Sequence, residues 1–378
     1  MQTFDFFNVV RVNTVMQGAY DLRLQPQPLI WDKRILTVPA FDDEILARYE
    51  SFPLIADLMA DDAQAVVYEM GKFQFETTRI PKLKVGFGLN ETMLRQLNRI
   101  RQNVATRDEV GVFTNWENRI VSQVRYGVDI RREALLISML FDGLSYDRLG
   151  IKLNGISWGM YSDLKITVGT TWDQTSATPV SDMLLAKLIA KTHYGINYDR
   201  ITMSTTCFRN MVNTTEFQNK SRMYLAPNVS FINLNISDIG MLQKLATNVL
   251  EGMSIELDDR RAFAKATDGS IQSFPIWPTA GVVLSSSALD GNTMAWNFAN
   301  TELMEKIVSD IAGQAGAPPV AQGYGPTVYP TLSNMQLNAP GLTYWGAQRG
   351  FPRKEMLQAN AALTVGTFTD SVSTALPF

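Results

Sequence analysis

Cys207 and His193 are each the only residue of their type in the chain, and together they could form a nucleophile–base pair. In such a pair the imidazole accepts the thiol proton and leaves a reactive thiolate. The two residues are fourteen positions apart, in a stretch whose pattern predicts helix, strand and helix. One cysteine and one histidine cannot build a structural zinc site, and a lone cysteine forms no intrachain disulfide, which suits a reducing compartment. We therefore expect ordinary core or surface roles for both.

The chain also contains two pairs of adjacent carboxylates, Asp61-Asp62 and Asp258-Asp259. Neighbouring side chains on a strand or loop point apart, so these pairs are interpreted as solvated turns rather than as acid–base catalysts. Residues 85–88 are glycine-containing but too short and too poor in lysine to bind phosphate. The sequence contains no catalytic-triad, zinc-ligand or dinucleotide-binding motif. We predict no catalytic, cofactor-binding or metal-binding residues, and a structural role.

Length and composition describe a large chain with little charge. With 378 residues it exceeds the size at which one compact core usually suffices, so two or more lobes are expected. Charged residues make up only 19% and aromatic residues 10%, which suits a surface covered by neighbouring proteins, although a large enzyme with a roomy core would share this composition. The net charge of −3 provides no basic footprint for nucleic acid.

The sequence carries no expected export or membrane signal. Residues 1–15 include the acidic Asp5 and lack a basic start followed by a long apolar run, so no signal peptide is predicted. No window approaches about 18 continuous apolar residues, so no membrane span is predicted either.

The first 89 residues are predicted to form an arm followed by a long hairpin. Residues 1–40 contain several prolines and only isolated apolar anchors, among them Trp31 and Ile35. They are interpreted as an extended arm that needs a partner surface, with a flexible terminus as the alternative. Farther on, residues 66–70 are strand-like and residues 72–77 alternate with a period of two, which predicts the strands of a hairpin.

A long helix is the strongest local prediction. Asn90 is expected to cap a first helix, which a break at residues 107–112 separates from a second one. The second helix is predicted to start at a capping box, residues 114–117, whose hydroxyl and carboxylate each satisfy one free amide. Apolar residues then recur every three or four positions as far as Leu140, and Gly143 is expected to stop the helix. Nearly thirty residues would extend for ~40 Å, a length natural for the backbone of a flat subunit.

The rest of the chain is predicted to alternate short strands and helices. The expected elements are a hairpin at 149–158 turning at Asn154-Gly155, a helix from Ser181 with its apolar face at residues 183–189, a strand at 199–204, helices at 205–213 and 239–250, short strands between 255 and 289, and a strand at 361–368. Residues 313–330 are rich in glycine and proline and are expected to be irregular.

The order of these elements resembles that of the phage major capsid proteins of the lambda type, the capsid protein E family. The segments that carry the resemblance are 89–97, 141–143, the hairpin about Asn154-Gly155, the strand and helix at 200–208, and 350–359. It covers residues 85–370 in patches, and it depends on order and spacing rather than on one diagnostic motif. The chain departs from the family pattern in a longer amino-terminal arm and in extra residues at 300–340.

The resemblance implies an α+β protein with the Hong Kong 97-type phage capsid fold. The implied parts are an N-terminal arm at 1–40, an extended β-hairpin loop at 41–89, a peripheral domain with a long spine helix at 90–165 and 331–378, and an axial domain at 166–330.

The implied function is that of a major capsid protein, which self-assembles into hexamers and pentamers of an icosahedral head shell. The shell would enclose the double-stranded DNA genome of a tailed phage without sequence-specific binding. The implied location is the virion, after assembly in the bacterial host cytoplasm, with no enzymatic activity, no cofactor and no membrane. A portal protein and a scaffold would be partners, and a cement or decoration protein stays open. Some capsids of this fold cross-link lysine to asparagine, and Lys72, Lys82 and Lys84 are conceivable donors.

Two other functions remain open at this point. An encapsulin-like nanocompartment shell would share the fold but enclose a cargo enzyme. A cytoplasmic hydrolase using Asp or Ser chemistry would instead form a compact monomer or small oligomer.

Overall fold

A computed structural model describes the body of the chain from Leu29 onwards. The described residues are 29–39, 43–48, 74–89, 107–148, 151–224, 239–265, 271–291, 293–299, 327–332 and 342–366. Several sequence predictions lie outside these ranges: the arm at 1–28, the strand at 66–70, the helix at Asn90, the carboxylate pair Asp61-Asp62, and Lys72.

Helices and strands are mixed along the described chain, which confirms the α+β class. The helices among the described residues are α1 (Arg107–Leu140), α2 (Pro179–Tyr194), α3 (Thr205–Asn213), α4 (Thr215–Ser221) and α5 (Ile239–Val249). The strands are β1 (Leu36–Pro39), β2 (Asp43–Arg48), β3 (Gln74–Arg79), β4 (Lys82–Leu89), β5 (Leu144–Arg148), β6 (Ile151–Ile156), β7 (Lys165–Thr167), β8 (Arg200–Met203), β9 (Ser254–Leu257), β10 (Arg261–Lys265), β11 (Ile271–Pro275), β12 (Gly281–Ser285), β13 (Met294–Ala299), β14 (Thr327–Leu332), β15 (Leu342–Lys354) and β16 (Asn360–Thr364).

The spine helix α1 contains 34 residues and is therefore about 50 Å long. The predicted helix is confirmed as far as Leu140, but it begins at Arg107. The break at 107–112 and the capping box at 114–117 are therefore wrong as helix boundaries. A Thr–Glu pair caps a helix only where the preceding backbone leaves the helical conformation, and most residue types in this stretch are compatible with a helix interior.

The end of α1 is a Schellman turn in which Asp142, not Gly143, occupies the left-handed position. Asp142 has a φ of 52°, and the amide of Gly143 donates to the carbonyl of Ser138. The Asp142 carboxylate accepts a hydrogen bond from the Trp158 amide and pairs with Lys165. These contacts hold a residue with a Cβ in a conformation that glycine adopts more easily. The prediction that Gly143 itself stops the helix is wrong in this detail.

The first sheet has the strand order β1-β13-β15-β14, and β4 also pairs with β15. Strand β15 is its centre, because residues 342–349 pair with β4 and residues 349–354 pair with β13. Helix α1 packs on β15 and β4. The buried cluster of this lobe includes Trp31, Ile80, Leu136, Met139, Trp158, Phe274, Trp277, Trp296 and Phe351.

The second sheet has the strand order β7-β16-β12-β8-β9. Strands β8 and β12 are buried at every position, and helices α2 and α5 contact β12 and β9 respectively. The buried cluster of this lobe includes Leu164, Trp172, Met183, Tyr198, Phe208, Phe217, Ala246 and Leu363. The predicted strand at 199–204 and the predicted helices at 205–213 and 239–250 are confirmed here.

The hairpin predicted at 149–158 exists, but its turn is not at Asn154-Gly155. Arg148 at the end of β5 pairs with Ile151 at the start of β6, so the two strands already pair before Asn154 is reached. Gly155 lies within β6 with a φ of 58°, at an irregularity in the register of the two strands. The positive φ that glycine permits therefore serves a bulge rather than the turn.

Two further expectations are corrected by tertiary contacts. Leu185 and Leu188, assigned to the apolar face of α2, are 51% and 58% exposed, whereas Met183 on the same helix is completely buried. Residues 313–330 are not irregular throughout, because β14 starts at Thr327 and pairs with β15. Strand β14 lies at the edge of its sheet, where a proline such as Pro330 is tolerated.

Gly350 in β15 provides a test of the first sheet. A Cβ added at this position would lie 2.5 Å from atoms of the buried Trp296 ring. We expect Gly350→Ala to lower the free energy of unfolding by about 1–3 kcal/mol, because the overpacked indole must shift. Urea unfolding followed by tryptophan fluorescence measures this loss.

Gly169→Ala is the matched control, because Gly169 is exposed and an added Cβ meets no atom within 4 Å. It should change the free energy of unfolding by less than about 0.5 kcal/mol. Equal effects of the two substitutions would contradict the packing described for Trp296.

Candidate functional site

Residues 29–39, called the arm root below, are fastened to the body of the subunit. Trp31 is completely buried, and its ring stacks on Trp277 with centroids 6.0 Å apart. The Trp31 backbone amide donates to both carboxylate oxygens of Glu133, at 3.1 and 3.2 Å. Strand β1 then runs parallel to β13. The apolar anchor recognised in the sequence therefore packs against its own chain.

Glu133 also belongs to a buried ionic triad with Arg260 and Asp258. Arg260 Nη1 donates to Glu133 Oε1 at 2.8 Å, while its Nε and Nη2 donate to Asp258 at 2.8 and 2.7 Å. None of the three side chains is more than 9% exposed. The triad therefore joins the arm root, the spine helix α1 and the connection between β9 and β10.

Burial and neighbouring charges shift the pKa values of Glu133 and Arg260 in opposite directions. Burial raises the pKa of the Glu133 carboxyl, and the nearby Arg260 guanidinium offsets only part of that effect. Burial alone would lower the pKa of Arg260, but its hydrogen bonds to Asp258 and the charge of Glu133 raise it above its usual value. Arg260 therefore stays charged, and its position depends on both carboxylates.

A second, less buried cluster joins the arm root to the second sheet. Arg34 Nη2 donates to both carboxylate oxygens of Glu256 on β9, at 2.7 Å each. Asp290 lies 3.9 Å from Arg34 Nε and accepts two 2.7 Å hydrogen bonds from Arg200 on β8. The Arg34 guanidinium also lies 4.8 Å from the centroid of the Trp31 ring, a cation–π contact. The arm root thus contacts both lobes.

Strands β2, β3 and β4 lie in the region predicted as an extended hairpin loop. Strands β2 and β3 pair antiparallel from Asp43 with Arg79 to Arg48 with Gln74. Strand β4 forms an eight-residue ladder with β15 and is therefore part of the first sheet. Lys82 and Lys84, the conceivable cross-linking donors, are exposed on β4.

Cys207 and His193 lie in different environments. Cys207 is completely buried in the first turn of α3, and burial raises the pKa of its thiol well above the ordinary value. His193 is exposed near the end of α2, with Nδ1 2.9 Å from Asp163 Oδ2. A buried thiol whose ionised form is disfavoured is a poor nucleophile. The two residues are therefore placed as a core residue and a surface residue.

Asp258 and Asp259 point to different partners. Asp258 is buried and pairs with Arg260, so its interpretation as part of a solvated turn is wrong. Exposed Asp259 accepts hydrogen bonds from the amide and hydroxyl of Thr205 at the start of α3. The sequence could not distinguish them, because the partner of Asp258 is fixed by the packing of the whole lobe.

Within the described ranges, no group of three or more His, Cys, Asp or Glu residues could hold a metal ion. Among the helices of the same ranges, none is long and apolar enough to cross a membrane.

Sequence reasoning missed Glu133 and Arg260. A signal for Glu133 does exist, because Asp129, Arg132 and Glu133 interrupt the apolar pattern of α1 at positions that are buried. Charged residues are rarely fully buried unless they are paired. No comparable signal marks Arg260, which lies 127 positions from Glu133 in the sequence.

Two solved structures are similar to nearly the whole chain at low sequence identity. A phage-related protein from Bordetella bronchiseptica RB50 is 15% identical, with a TM-score of 0.54 over 93% of this chain and 95% of that one. A candidate capsid protein of a prophage of E. coli CFT073 is 12% identical, with a TM-score of 0.54 over 95% and 99%. No curated protein matches the sequence. At these identities the likeness shows the fold alone.

The fold is the Hong Kong 97-type phage capsid fold. The sequence model of the phage major capsid protein E matches residues 54–313, more than half of the chain. The chain belongs to the phage major capsid protein E family, and its place is in the icosahedral shell of the virion. Of the functions left open by the sequence, the phage shell is therefore supported over the nanocompartment and the hydrolase.

The buried triad gives a second testable prediction. Arg260→Met removes the shared cation and leaves two buried carboxylates without it. We expect a loss of about 3–5 kcal/mol in the free energy of unfolding, because uncompensated buried charge is costly. Urea unfolding of the purified chain measures the loss.

Lys187→Met is the control, because Lys187 lies 3.6 Å from Glu251, which is 67% exposed. Loss of that surface pair should cost less than about 1 kcal/mol. A stable Arg260→Met variant, unfolding at the same urea concentration as the control, would show that the triad does not hold the subunit together.

Proposed function

We propose that the chain self-assembles into hexamers and pentamers that close into the head shell around the double-stranded DNA genome of a tailed phage. It does so without catalytic, cofactor-binding or metal-binding residues. The family match to residues 54–313 carries the proposal. The anchored arm root supports it, because it fixes where residues 1–28 join the subunit.

The proposed parts are an arm at 1–40, an extended loop at 41–89, a peripheral domain at 90–165 and 331–378, and an axial domain at 166–330. The two buried clusters support this division for two parts of the chain, since one includes residues 134–140 at the end of α1 and the other includes the buried apolar residues between 160 and 257. Strand β13 joins the sheet of β15, and β16 joins the sheet of β12. Each proposed domain therefore contributes a strand to the sheet of the other, and these two strands connect the domains into one subunit.

Residues 1–28 of the arm and the part of the loop between β2 and β3 are proposed to lie across neighbouring subunits. An extended segment can add strands to a neighbour and bury apolar residues that its own subunit leaves uncovered. Each contact is modest, but interfaces of thousands of Å² per subunit add up to a rigid shell. The axial domains would meet around five- and six-fold axes through heterologous contacts that close into rings.

The remaining partners follow from what a closed shell requires. The net charge of −3 suits DNA that is held by confinement rather than by phosphate contacts. A portal protein would admit the DNA, and a scaffold would direct the curvature of the growing shell.

Purified full-length protein provides the direct test. Gel filtration and electron microscopy should show closed shells, or rings of five and six subunits that convert into shells. A chain that stays a compact monomer in dilute solution and binds a substrate in a pocket would contradict the proposal.

The loop can be tested separately. Because Arg48 pairs with Gln74, residues 49–73 can be replaced by an Asn-Gly turn that joins β2 and β3 in register. We expect folded subunits with a native circular dichroism spectrum that no longer form closed shells, since β4 stays on β15 while the loop is lost.

Leu149→Asn is the matched control, because it creates the same Asn-Gly connection between β5 and β6. This variant should form shells like the unaltered chain. Normal particles from the chain that lacks residues 49–73 would rule out the role of the loop in closure.

A further inference from the structure

The two-stranded ribbon β10–β11 has two faces of opposite character. On one face, the paired residues Ala262 and Phe274 are buried in the cluster that packs on the first sheet. On the other face, Phe263 and Ile271 are 70% and 77% exposed. Phe263 pairs with Ser273, so Ile271 is its diagonal neighbour across the ribbon. The two apolar side chains form one patch, called the ribbon face below.

The described part of the chain leaves the ribbon face uncovered. Strands β10 and β11 pair only with each other among the described residues. Isolated apolar residues on a surface are ordinary, but two large ones side by side on a ribbon indicate a contact surface. The exposure is not a sign of loose packing, because Phe274 on the opposite face is only 3% exposed.

The ribbon is held in a fixed position. It begins directly after Arg260, which binds both Asp258 and Glu133 and so helps to fasten the arm root. Across the ribbon, Arg261 Nε donates to Ser273 Oγ at 2.7 Å. A patch on a rigid support loses little conformational entropy on binding. The ribbon face is therefore preorganised. The ribbon also directly follows the buried triad, which holds the arm root.

Helix α2 of the same chain also exposes apolar side chains. Leu185 and Leu188 are exposed on α2, and the exposed carboxylate of Glu251 lies 3.6 Å from Lys187 of that helix. Because Lys187 pairs with Glu251, the charges on this surface are balanced, and its two leucines provide an apolar surface that fits the apolar side chains of the ribbon face. Closed rings of identical subunits need two different surfaces that fit each other.

We propose that the ribbon face binds a second copy of this chain in the assembled shell. The inference rests on the proposed assembly and adds to it a contact outside the arm and the loop. The copies that surround each subunit in a shell supply the partner surface, and burying Phe263 and Ile271 removes their apolar area from water.

Hydrogen exchange tests the contact on the unaltered full-length chain. Amide exchange in peptides covering residues 261–275 should slow by about tenfold or more between dissociated subunits and purified shells. Unchanged exchange in intact shells would overturn the inference and leave the proposed function standing. Slowing that requires a second phage protein, and is absent from shells of this chain alone, would overturn it as well. A chain that forms no shells under any condition would overturn the proposed function and this inference together.

A pair of double variants separates the apolar contact from folding. Phe263→Ser with Ile271→Ser should keep the native circular dichroism spectrum but reduce the assembled fraction about tenfold at fixed protein concentration. Phe263→Leu with Ile271→Val keeps the patch apolar and should assemble like the unaltered chain. Equal assembly of both variants would overturn the inference. If the serine variant fails to fold, the exchange measurement on the unaltered chain decides.

Discussion

The guanidinium of Arg260 is a buried positive charge that lies between the carboxylates of Glu133 and Asp258. Removing such groups from water costs several kcal/mol for each ion, and their attraction compensates only when the geometry is maintained. Because Glu133 also accepts a hydrogen bond from the Trp31 amide, a displaced arm root would leave the carboxylate poorly paired. We infer that the triad favours one arrangement of arm root, spine helix and ribbon over near alternatives more than it adds net stability.

Buried polar contacts also fix one arrangement where the end of α1 meets the second sheet. Asn360 in β16 donates through Nδ2 to the carbonyl of Leu140, at 2.8 Å, and the Asp142 carboxylate pairs with Lys165 at the start of β7. Phe141 packs against both buried clusters. The end of the spine helix is therefore tied to the second sheet. A subunit that repeats its contacts around a closed ring needs such a fixed relation, because angular errors add up from copy to copy.

The sequence predicted the elements whose signals lie within a few residues. Helices α3 and α5 and strand β8 agree with their predicted bounds to within a residue or two, because period and hydrophobicity determine them locally. The start of α1 and the turn between β5 and β6 were not predicted. The capping box at 114–117 and the Asn154-Gly155 pair permit a helix start and a tight turn without requiring either. The partners that decide such cases are distant in sequence, as Glu133 and Arg260 are.

Among the described residues, exposed apolar side chains lie on several different elements of the chain. They include Leu185 and Leu188 on α2, Phe263 and Ile271 on the ribbon, and Met223 and Tyr224 after α4. One large patch would drive uncontrolled association of free subunits, whereas several modest contacts become strong only when neighbours make them together. Modest contacts also break quickly when made alone, because affinity differences appear mainly in dissociation rates. A misplaced subunit can then leave before the shell closes, so the divided apolar surface suits a shell that corrects its errors during growth.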